Sequence, residues 1–217
     1  MPDGAGLRPA AGDALLTLPN AITFARLCAV PVAVWLVLEH RLIAAFALFV
    51  AAGISDAVDG WLARRQGSTR IGAILDPLAD KALLVSMYVT LAAVGELPDW
   101  LAILVVFRDV VIVGGVVLLA VLGQPVVIRP LRISKLNTAL QILLVAATLM
   151  VAGFGLVPPV GLGSGYDALL WPRLWAQFLG GAGPDFVRAA AMAAMVWLVG
   201  ATTLASGAAY VWRTVRT

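Results

Sequence analysis

Six long apolar stretches constrain the fold of this chain more than any other feature of its sequence. Each is close to the roughly 20 residues that an α-helix needs to cross the hydrocarbon core of a bilayer. They cover about residues 22–39, 41–62, 73–94, 100–122, 134–156 and 187–211. The 217 residues are 62% hydrophobic and only 12% charged, whereas a soluble domain is roughly 25% charged. The sequence therefore predicts an all-α integral membrane protein with six transmembrane helices.

Little sequence is left outside these stretches, so we expect a single membrane domain over residues 21–217. Residues 1–20 are rich in Gly, Ala and Pro and lack the basic region and apolar core of a cleaved signal. They predict a short cytosolic tail and an interfacial segment, with Asn20 as the candidate N-cap of the first helix. Residues 153–186 predict a long extracytoplasmic loop.

The distribution of Lys and Arg predicts the orientation, because cytoplasmic loops carry an excess of these residues. If the N-terminus is inside, the three cations in outside segments are Arg41, Arg173 and Arg188. The nine in inside segments are Arg8, Arg64, Arg65, Arg70, Arg129, Arg132, Lys135, Arg213 and Arg216. This imbalance favours an N-in, C-in topology. A basic cytosolic rim suits anionic lipid headgroups, so we expect membrane lipids and no nucleic acid as partners.

Four aspartates interrupt the apolar pattern within one short region. Asp56 and Asp59 are three residues apart, and Asp76 and Asp80 are four apart, so each pair lies on one face of its helix. Only 16 residues separate Asp59 from Asp76. We therefore expect the second and third helices to be antiparallel neighbours that bring four carboxylates together near the cytosolic membrane surface.

Four clustered carboxylates favour a divalent metal centre, because burial and mutual repulsion prevent all of them from ionising without added positive charge. Oxygen ligands without nearby His or Cys favour Mg²⁺, Mn²⁺ or Ca²⁺. The small residues Gly60 and Ala63, followed by Arg64, leave a groove beside the metals. Two metals, an arginine and a groove are typical of a site that binds and transfers phosphoryl groups.

Structural roles for the same aspartates remain open at this point. Asp76 followed by Pro77 is also how an ordinary helix begins, with Asp as the N-cap. Asp56 could pair with Arg64, and Asp80 could pair with Lys81 or Arg26. These alternatives explain single residues more easily than they explain all four together.

A divalent-cation transporter is an alternative function that would also place carboxylates in the membrane. Transport, however, requires polar groups near the bilayer midplane, often in broken or repeated helices. The acidic residues of this chain cluster toward one side, and apolar runs such as "VVLLAVL" offer no polar path. The transporter therefore remains a remote alternative.

The aspartates and their neighbours resemble the signature of the CDP-alcohol phosphotransferase family, DxxDGxxAR followed by GxxxDxxxD. The matching positions are Asp56, Asp59, Gly60, Ala63, Arg64, Gly72, Asp76 and Asp80. Seven residues separate Arg64 from Gly72, one fewer than the family pattern. The resemblance covers roughly residues 18–150.

The resemblance implies a six-helix catalytic domain, usually a homodimer, with its site open to the cytosol. It implies two ions, Mg²⁺ or Mn²⁺, held by Asp56, Asp59, Asp76 and Asp80, with Asp80 also the general base. It also implies a CDP pocket formed by Asp56, Gly60, Ala63, Arg64 and Gly72. The implied reaction transfers a phosphatidyl group from CDP-diacylglycerol to an alcohol and releases CMP.

Three further segments indicate a branch of the family. "LPNAITFAR", "FRDVVI" and "ISKLNTALQ" resemble the branch that contains the eukaryotic-type cardiolipin synthases, whose acceptor is phosphatidylglycerol. Glycerol 3-phosphate, the acceptor of phosphatidylglycerophosphate synthases, is the alternative. Candidate acceptor-binding cations are Arg108, Arg129, Arg132 and Lys135, enough for either acceptor. A short tail without a recognisable transit peptide favours a bacterial inner membrane.

Polar residues in the fourth and fifth stretches have two interpretations each. Arg108 and Asp109 are adjacent, so a helix should point them to different faces and keep them from pairing. One of the two either reaches the acceptor pocket or forms an ion pair between helices. Asn137 and Gln141 make the start of the fifth stretch polar, and hydrogen bonding between helices is favoured for Gln141.

Overall fold

The computed structural model describes residues 18–66, 72–121, 132–156 and 184–216, and nearly all of them are helical. The six helices are α1 (Leu18–Leu38), α2 (Leu42–Gln66), α3 (Gly72–Ala93), α4 (Asp99–Val121), α5 (Arg132–Gly153) and α6 (Pro184–Arg216). Within these ranges the structure has six helices, one for each predicted apolar stretch. The helix α3 differs from its predicted stretch by about one residue at each end, whereas α6 extends beyond its predicted stretch at both ends.

Neither candidate N-cap lies at the start of its helix. The helix α1 begins at Leu18, so Asn20 lies in its first turn and is not the N-cap. Pro19 suits this position, because its missing N–H group would have no partner within the first turn. The helix α3 begins at Gly72, so Asp76 lies inside the helix and does not cap it.

The helices α1, α3 and α5 end in the same kind of turn. In each, a backbone N–H donates to the carbonyl five residues earlier, at 2.8–2.9 Å. The residue before that donor has a positive φ, 81° at Gly95 after α3 and 60° at Gly155 after α5. After α1 the position is taken by His40 with φ 54°, a conformation that residues other than glycine adopt rarely.

The six helices form a closed ring. Along the ring, α1 packs against α2, α2 against α5, α5 against α6, α6 against α4, α4 against α3, and α3 against α1. A further contact joins α3 to α5 across the ring. Within the described residues, α1 packs against both α2 and α3. The turns of α2 and α3 that face their linker lie outside the residues whose contacts are described, so the expectation that these two helices are neighbours stays a prediction.

The core lies around α3, whose inner face carries Met87, Tyr88 and Leu91, all fully buried. Tyr88 faces α5, and its hydroxyl donates a hydrogen bond of 3.2 Å to the backbone carbonyl of Gln141. That bond satisfies the polar end of an otherwise apolar buried ring. Leu144, further along α5 from its polar start, is also fully buried.

The outer surface of the ring is strongly apolar. Large exposed hydrophobic residues include Phe24, Ile103, Phe107, Val110 and Trp197, each more than half exposed. Contiguous apolar surface of this kind marks contact with lipid or another protein.

Within the described residues, two helical segments, Ile133–Gly153 and Ala190–Tyr210, are long and apolar enough to cross a membrane. Further apolar segments, Ile22–Leu38 of α1 and Leu42–Val58 of α2, lie within the part of these helices that the structure describes.

The last turn of α5 approaches the start of α2 closely at Gly153. A Cβ atom at this position would lie 3.0 Å from the backbone nitrogen of Ile43 and 3.2 Å from the carbonyl carbon of Leu42. Because backbone atoms cannot move aside cheaply, Gly153→Ala should lower the free energy of unfolding by about 1–3 kcal/mol. Thermal unfolding in detergent micelles measures this change. Gly53→Ala is the matched control, since a Cβ there meets nothing within 4 Å.

Glu96, in the turn between α3 and α4, should make stability depend on pH. Burial raises the pKa of its carboxyl above the ordinary value of 4.5, and the nearby His40 opposes that shift. When folding raises the pKa of a carboxyl group, that group contributes its full stabilisation at pH values below its unfolded-state pKa. The contribution is lost as the pH rises through its folded-state pKa. The melting temperature of Glu96→Gln should therefore equal that of the unchanged protein at about pH 4 and exceed it at about pH 7. A Glu96→Gln variant that melts at the same temperature as the unchanged protein at both pH values would contradict this expectation.

Candidate functional site

The polar side chains gather at one end of the ring, where α1, α3 and α5 begin and α2, α4 and α6 end. Arg26 of α1 is at the centre of this end, with its side chain only 2% exposed. Its Nη1 atom donates to Asp56 Oδ1 of α2 at 2.9 Å and to Asp80 Oδ1 of α3 at 2.5 Å. Of the partners considered from the sequence, Arg26 is confirmed for Asp80, and Asp56 also pairs with it.

The two described aspartates remain accessible on their other sides. The side chains of Asp56 and Asp80 are 46% and 43% exposed. Because both Oδ1 atoms contact the same nitrogen, the distance between them cannot exceed the sum of the two hydrogen-bond lengths. Two accessible carboxylates at this separation form an oxygen-only donor set, which fits a hard divalent cation.

The remaining signature residues are placed by backbone only. The helix α2 continues through positions 59, 60, 63 and 64, and α3 begins at position 72 and includes position 76. Positions 59 and 76 are therefore within about one helical turn of Asp56 and Asp80 respectively. The side chains of these residues lie outside the described set. Among the described side chains, no group of three or more acidic, His or Cys residues converges, so the four-aspartate metal set and the CDP contacts stay predictions.

A second charged cluster joins α3 to α4. Asp109 accepts from Lys81 Nζ through Oδ2 and from Arg108 Nη1 through Oδ1, both at 2.7 Å. The expectation that Arg108 and Asp109 do not pair is therefore wrong. Adjacent Cβ atoms do diverge on a helix, but the long Arg108 side chain is only 5% exposed and turns back to a nearby carboxylate. A buried guanidinium requires such a counter-charge.

Arg108 also joins α4 to the last two helices. Its Nη2 atom donates to Ser134 Oγ of α5 at 2.6 Å and to Ser206 Oγ of α6 at 2.7 Å. The interpretation as an ion pair between helices is confirmed for Asp109, which pairs with Lys81 of α3. The Arg108–Asp109 pair lies within α4, and Arg108 reaches α5 and α6 through the two serines. Sequence reasoning missed both serines. The available signal was the group of polar residues Thr202, Thr203 and Ser206 within the largely apolar α6.

The other predicted acceptor-binding cations are less completely placed. Lys135, in the first turn of α5, is exposed. Arg132 is the first residue of α5, but its side chain lies outside the described set, and Arg129 lies outside the described residues altogether. Their role in acceptor binding stays a prediction.

A layer of neutral polar residues lies next to Arg108, between α5 and α6. Gln141 Nε2 donates to Thr203 Oγ1 at 3.3 Å, and Thr202 and Thr203 both donate to Asn137 Oδ1 at 2.9 Å. Asn137 and Gln141 are fully buried. The predicted hydrogen bonding between helices is therefore confirmed for Gln141, and these bonds fix α6 against the polar start of α5.

The sequence of this chain matches a known protein family. The sequence model of the CDP-alcohol phosphatidyltransferase family matches residues 16–179. The chain is 33% identical over 212 residues to a cardiolipin synthase (CMP-forming)/mitochondrial hydrolase fusion protein of Schizosaccharomyces pombe, covering 90% of this chain and 31% of that protein.

Two further relatives have different names. The cardiolipin synthase (CMP-forming) of Homo sapiens is 31% identical over 172 residues, covering 71% of this chain and 56% of the human protein. The CDP-diacylglycerol–glycerol-3-phosphate 3-phosphatidyltransferase of Cereibacter sphaeroides is 30% identical over 211 residues, covering 88% and 92%. The chain thus spans about a third to a half of several curated relatives and nearly all of the bacterial one. These matches show that the chain belongs to the CDP-alcohol phosphatidyltransferase family.

Proposed function

We propose that this chain transfers a phosphatidyl group from CDP-diacylglycerol to a glycerol-type alcohol and releases CMP, with phosphatidylglycerol as the preferred acceptor. The observation that carries the proposal is the meeting of Asp56 and Asp80, from two helices that do not otherwise pack together in the described chain, beside Arg26. Enzymes of this family generally use divalent metal ions and are associated with membranes.

The chemistry follows from the properties of these carboxylates. Asp80 takes the proton of the acceptor hydroxyl, and the hydroxyl oxygen forms a bond to the phosphorus of the phosphatidyl group. The bond from that phosphorus to the bridging oxygen breaks, and CMP leaves with its electron pair. Two bound Mg²⁺ or Mn²⁺ ions would supply positive charge for the diphosphate oxygens. Asp56, Asp59, Asp76 and Asp80 would hold them.

Substrate contacts complete the proposed site. Asp56, Gly60, Ala63, Arg64 and Gly72 line the CDP pocket, and the acceptor lies toward the start of α5, where Lys135 is exposed. Arg108 supports the scaffold of this region instead of contacting the acceptor, because its two terminal nitrogens are engaged by Asp109, Ser134 and Ser206.

The names of the Schizosaccharomyces pombe and human relatives support phosphatidylglycerol as the acceptor. Lys135 is exposed in the first turn of α5, which Arg132 begins, and both residues would contact the headgroup. Phosphatidylglycerol has a single negative charge, whereas glycerol 3-phosphate is a dianion and would require more positive charge. The glycerol 3-phosphate alternative retains support from the name of the Cereibacter relative.

We further propose six membrane spans with both termini in the cytosol, so that the end carrying Arg26 faces the cytosol. The predicted cytosolic excess of Lys and Arg supports this orientation. The six helices would form one catalytic domain, the residues before α1 a cytosolic tail, and the segment between α5 and α6 an extracytoplasmic loop. A homodimer in a bacterial inner membrane is the proposed setting.

The acceptor is tested with the purified chain in mixed micelles that contain CDP-diacylglycerol and Mg²⁺ or Mn²⁺. Phosphatidylglycerol, glycerol 3-phosphate and inositol phosphate are offered in parallel, and CMP and lipid products are measured. Cardiolipin formed only with phosphatidylglycerol supports the proposal. Phosphatidylglycerophosphate formed only with glycerol 3-phosphate favours the alternative, and turnover that persists in excess chelator would overturn the metal-dependent mechanism.

A further inference from the structure

Arg26 occupies the position between the two acidic helices. Within the described residues α2 and α3 both pack against α1 but not against each other. The described polar link between them is one nitrogen atom, Arg26 Nη1, which contacts Asp56 Oδ1 and Asp80 Oδ1. The positive charge at the meeting point of the carboxylates is therefore supplied by a helix outside the aspartate signature.

The burial of Arg26 differs sharply from that of its partners. The arginine side chain is 2% exposed, whereas the two aspartate side chains are nearly half exposed. A buried guanidinium is stable only beside negative charge, and the two half-exposed carboxylates supply it. The carboxylates therefore compensate the charge of the buried arginine.

We propose that Arg26 is the resident counter-ion of the acidic centre, a positioning residue that holds Asp56 and Asp80 together until a divalent cation displaces its two contacts. The inference rests on the proposed function only in assigning Asp56 and Asp80 to a metal site. The guanidinium and the divalent cation compete, because both require the same carboxylate oxygens. Arg26 therefore lowers the affinity for metal while it stabilises the metal-free protein.

Two substitutions of Arg26 test whether its positive charge, and not the shape of its side chain, lowers the affinity for metal. Arg26→Gln removes the positive charge and should raise the affinity for Mn²⁺ by about 10-fold, because a unit charge within a few ångströms of the ion no longer repels it. It should also lower the melting temperature of the metal-free protein. Arg26→Lys keeps the charge, and its affinity for Mn²⁺ should stay near that of the unchanged protein.

Affinity is measured without substrate, by titrating the full chain in micelles with Mn²⁺ and following the electron paramagnetic resonance signal of the free ion. Arg188→Gln is the matched control. Arg188 is exposed at the opposite end of the ring, where its Nη1 donates to the backbone carbonyl of Leu156 at 3.1 Å. Removing this charge should leave the affinity for Mn²⁺ unchanged, since screening by salt weakens distant exposed charges.

The outcomes distinguish this inference from the proposed reaction. Affinity for Mn²⁺ that is unchanged or weaker in Arg26→Gln would overturn the competition, as would an equal rise in Arg26→Lys. If Arg26→Gln folds only with metal, the increase in melting temperature with added Mn²⁺ gives the same test, and it should exceed that of the unchanged protein. Absence of CMP release with every acceptor would overturn the reaction but leave the Mn²⁺ result standing.

Discussion

Asp80→Asn is expected to lower the turnover number for phosphatidyl transfer by roughly 10²- to 10⁴-fold, the range found when a general base is removed. The amide cannot take the proton of the acceptor hydroxyl, although its oxygen can still accept the hydrogen bond from Arg26 Nη1. The fold should therefore persist while the chemical step fails. The measurement is CMP release from CDP-diacylglycerol in mixed micelles at saturating acceptor.

Two variants serve as controls for this result. Asp56→Asn removes a proposed metal ligand but not the base, so its lost activity should recover at higher metal concentration, whereas that of Asp80→Asn should not. Glu39→Gln removes an exposed carboxylate in the turn after α1, at the opposite end of the ring, and should leave turnover unchanged. Near-normal turnover in Asp80→Asn would show that Asp80 is not the base.

Asp109→Asn is expected to lower the free energy of unfolding by about 3–5 kcal/mol, the cost of removing one member of a buried ion pair. Asp109 contacts both Lys81 and Arg108 at 2.7 Å. Lys81 is 35% exposed and can turn toward water, but Arg108 is 5% exposed and would remain buried without its counter-charge. Unfolding by a denaturant in micelles, monitored by circular dichroism, measures the loss.

The loss of stability in Asp109→Asn should result from the burial of this residue beside Arg108, and not simply from the loss of a charge on α4. Asp99→Asn removes an exposed carboxylate from the first turn of the same helix, and its cost should stay below about 1 kcal/mol. Combining Asp109→Asn with Lys81→Met should give a smaller loss than the sum of the two, because the residues are in direct contact. A loss below about 0.5 kcal/mol for Asp109→Asn would show that water or another anion reaches Arg108.

The structure changes the role of Arg108 more than that of any other predicted residue. Its place in the "FRDVVI" segment makes it a candidate for acceptor binding by sequence, and the sequence leaves open whether Arg108 or Asp109 has that role. The contacts with Asp109, Ser134 and Ser206 instead link α4 to α5 and α6. Since α5 carries Lys135, this link would set where the proposed acceptor region lies relative to Asp80. Substitutions of Arg108 are therefore expected to affect stability as well as acceptor binding.

The six helices and the helical phase of the aspartates follow from the amino-acid sequence alone. Both depend on local properties, namely the length of an apolar run and a spacing of three or four residues along one helix. For this reason the predicted bounds of α3 agree with the observed ones to within about one residue, and the spacing of Asp76 and Asp80 suffices to assign them to one face of that helix.

The order of the helices around the ring and the partners of the charged residues depend instead on tertiary packing. Packing of α1 against both α2 and α3 brings Arg26 to Asp56 and Asp80, 30 and 54 residues away along the chain. By sequence, several cations could serve these aspartates equally well. The choice depends on which helix faces pack together, a sum of many small long-range contacts that no local pattern encodes.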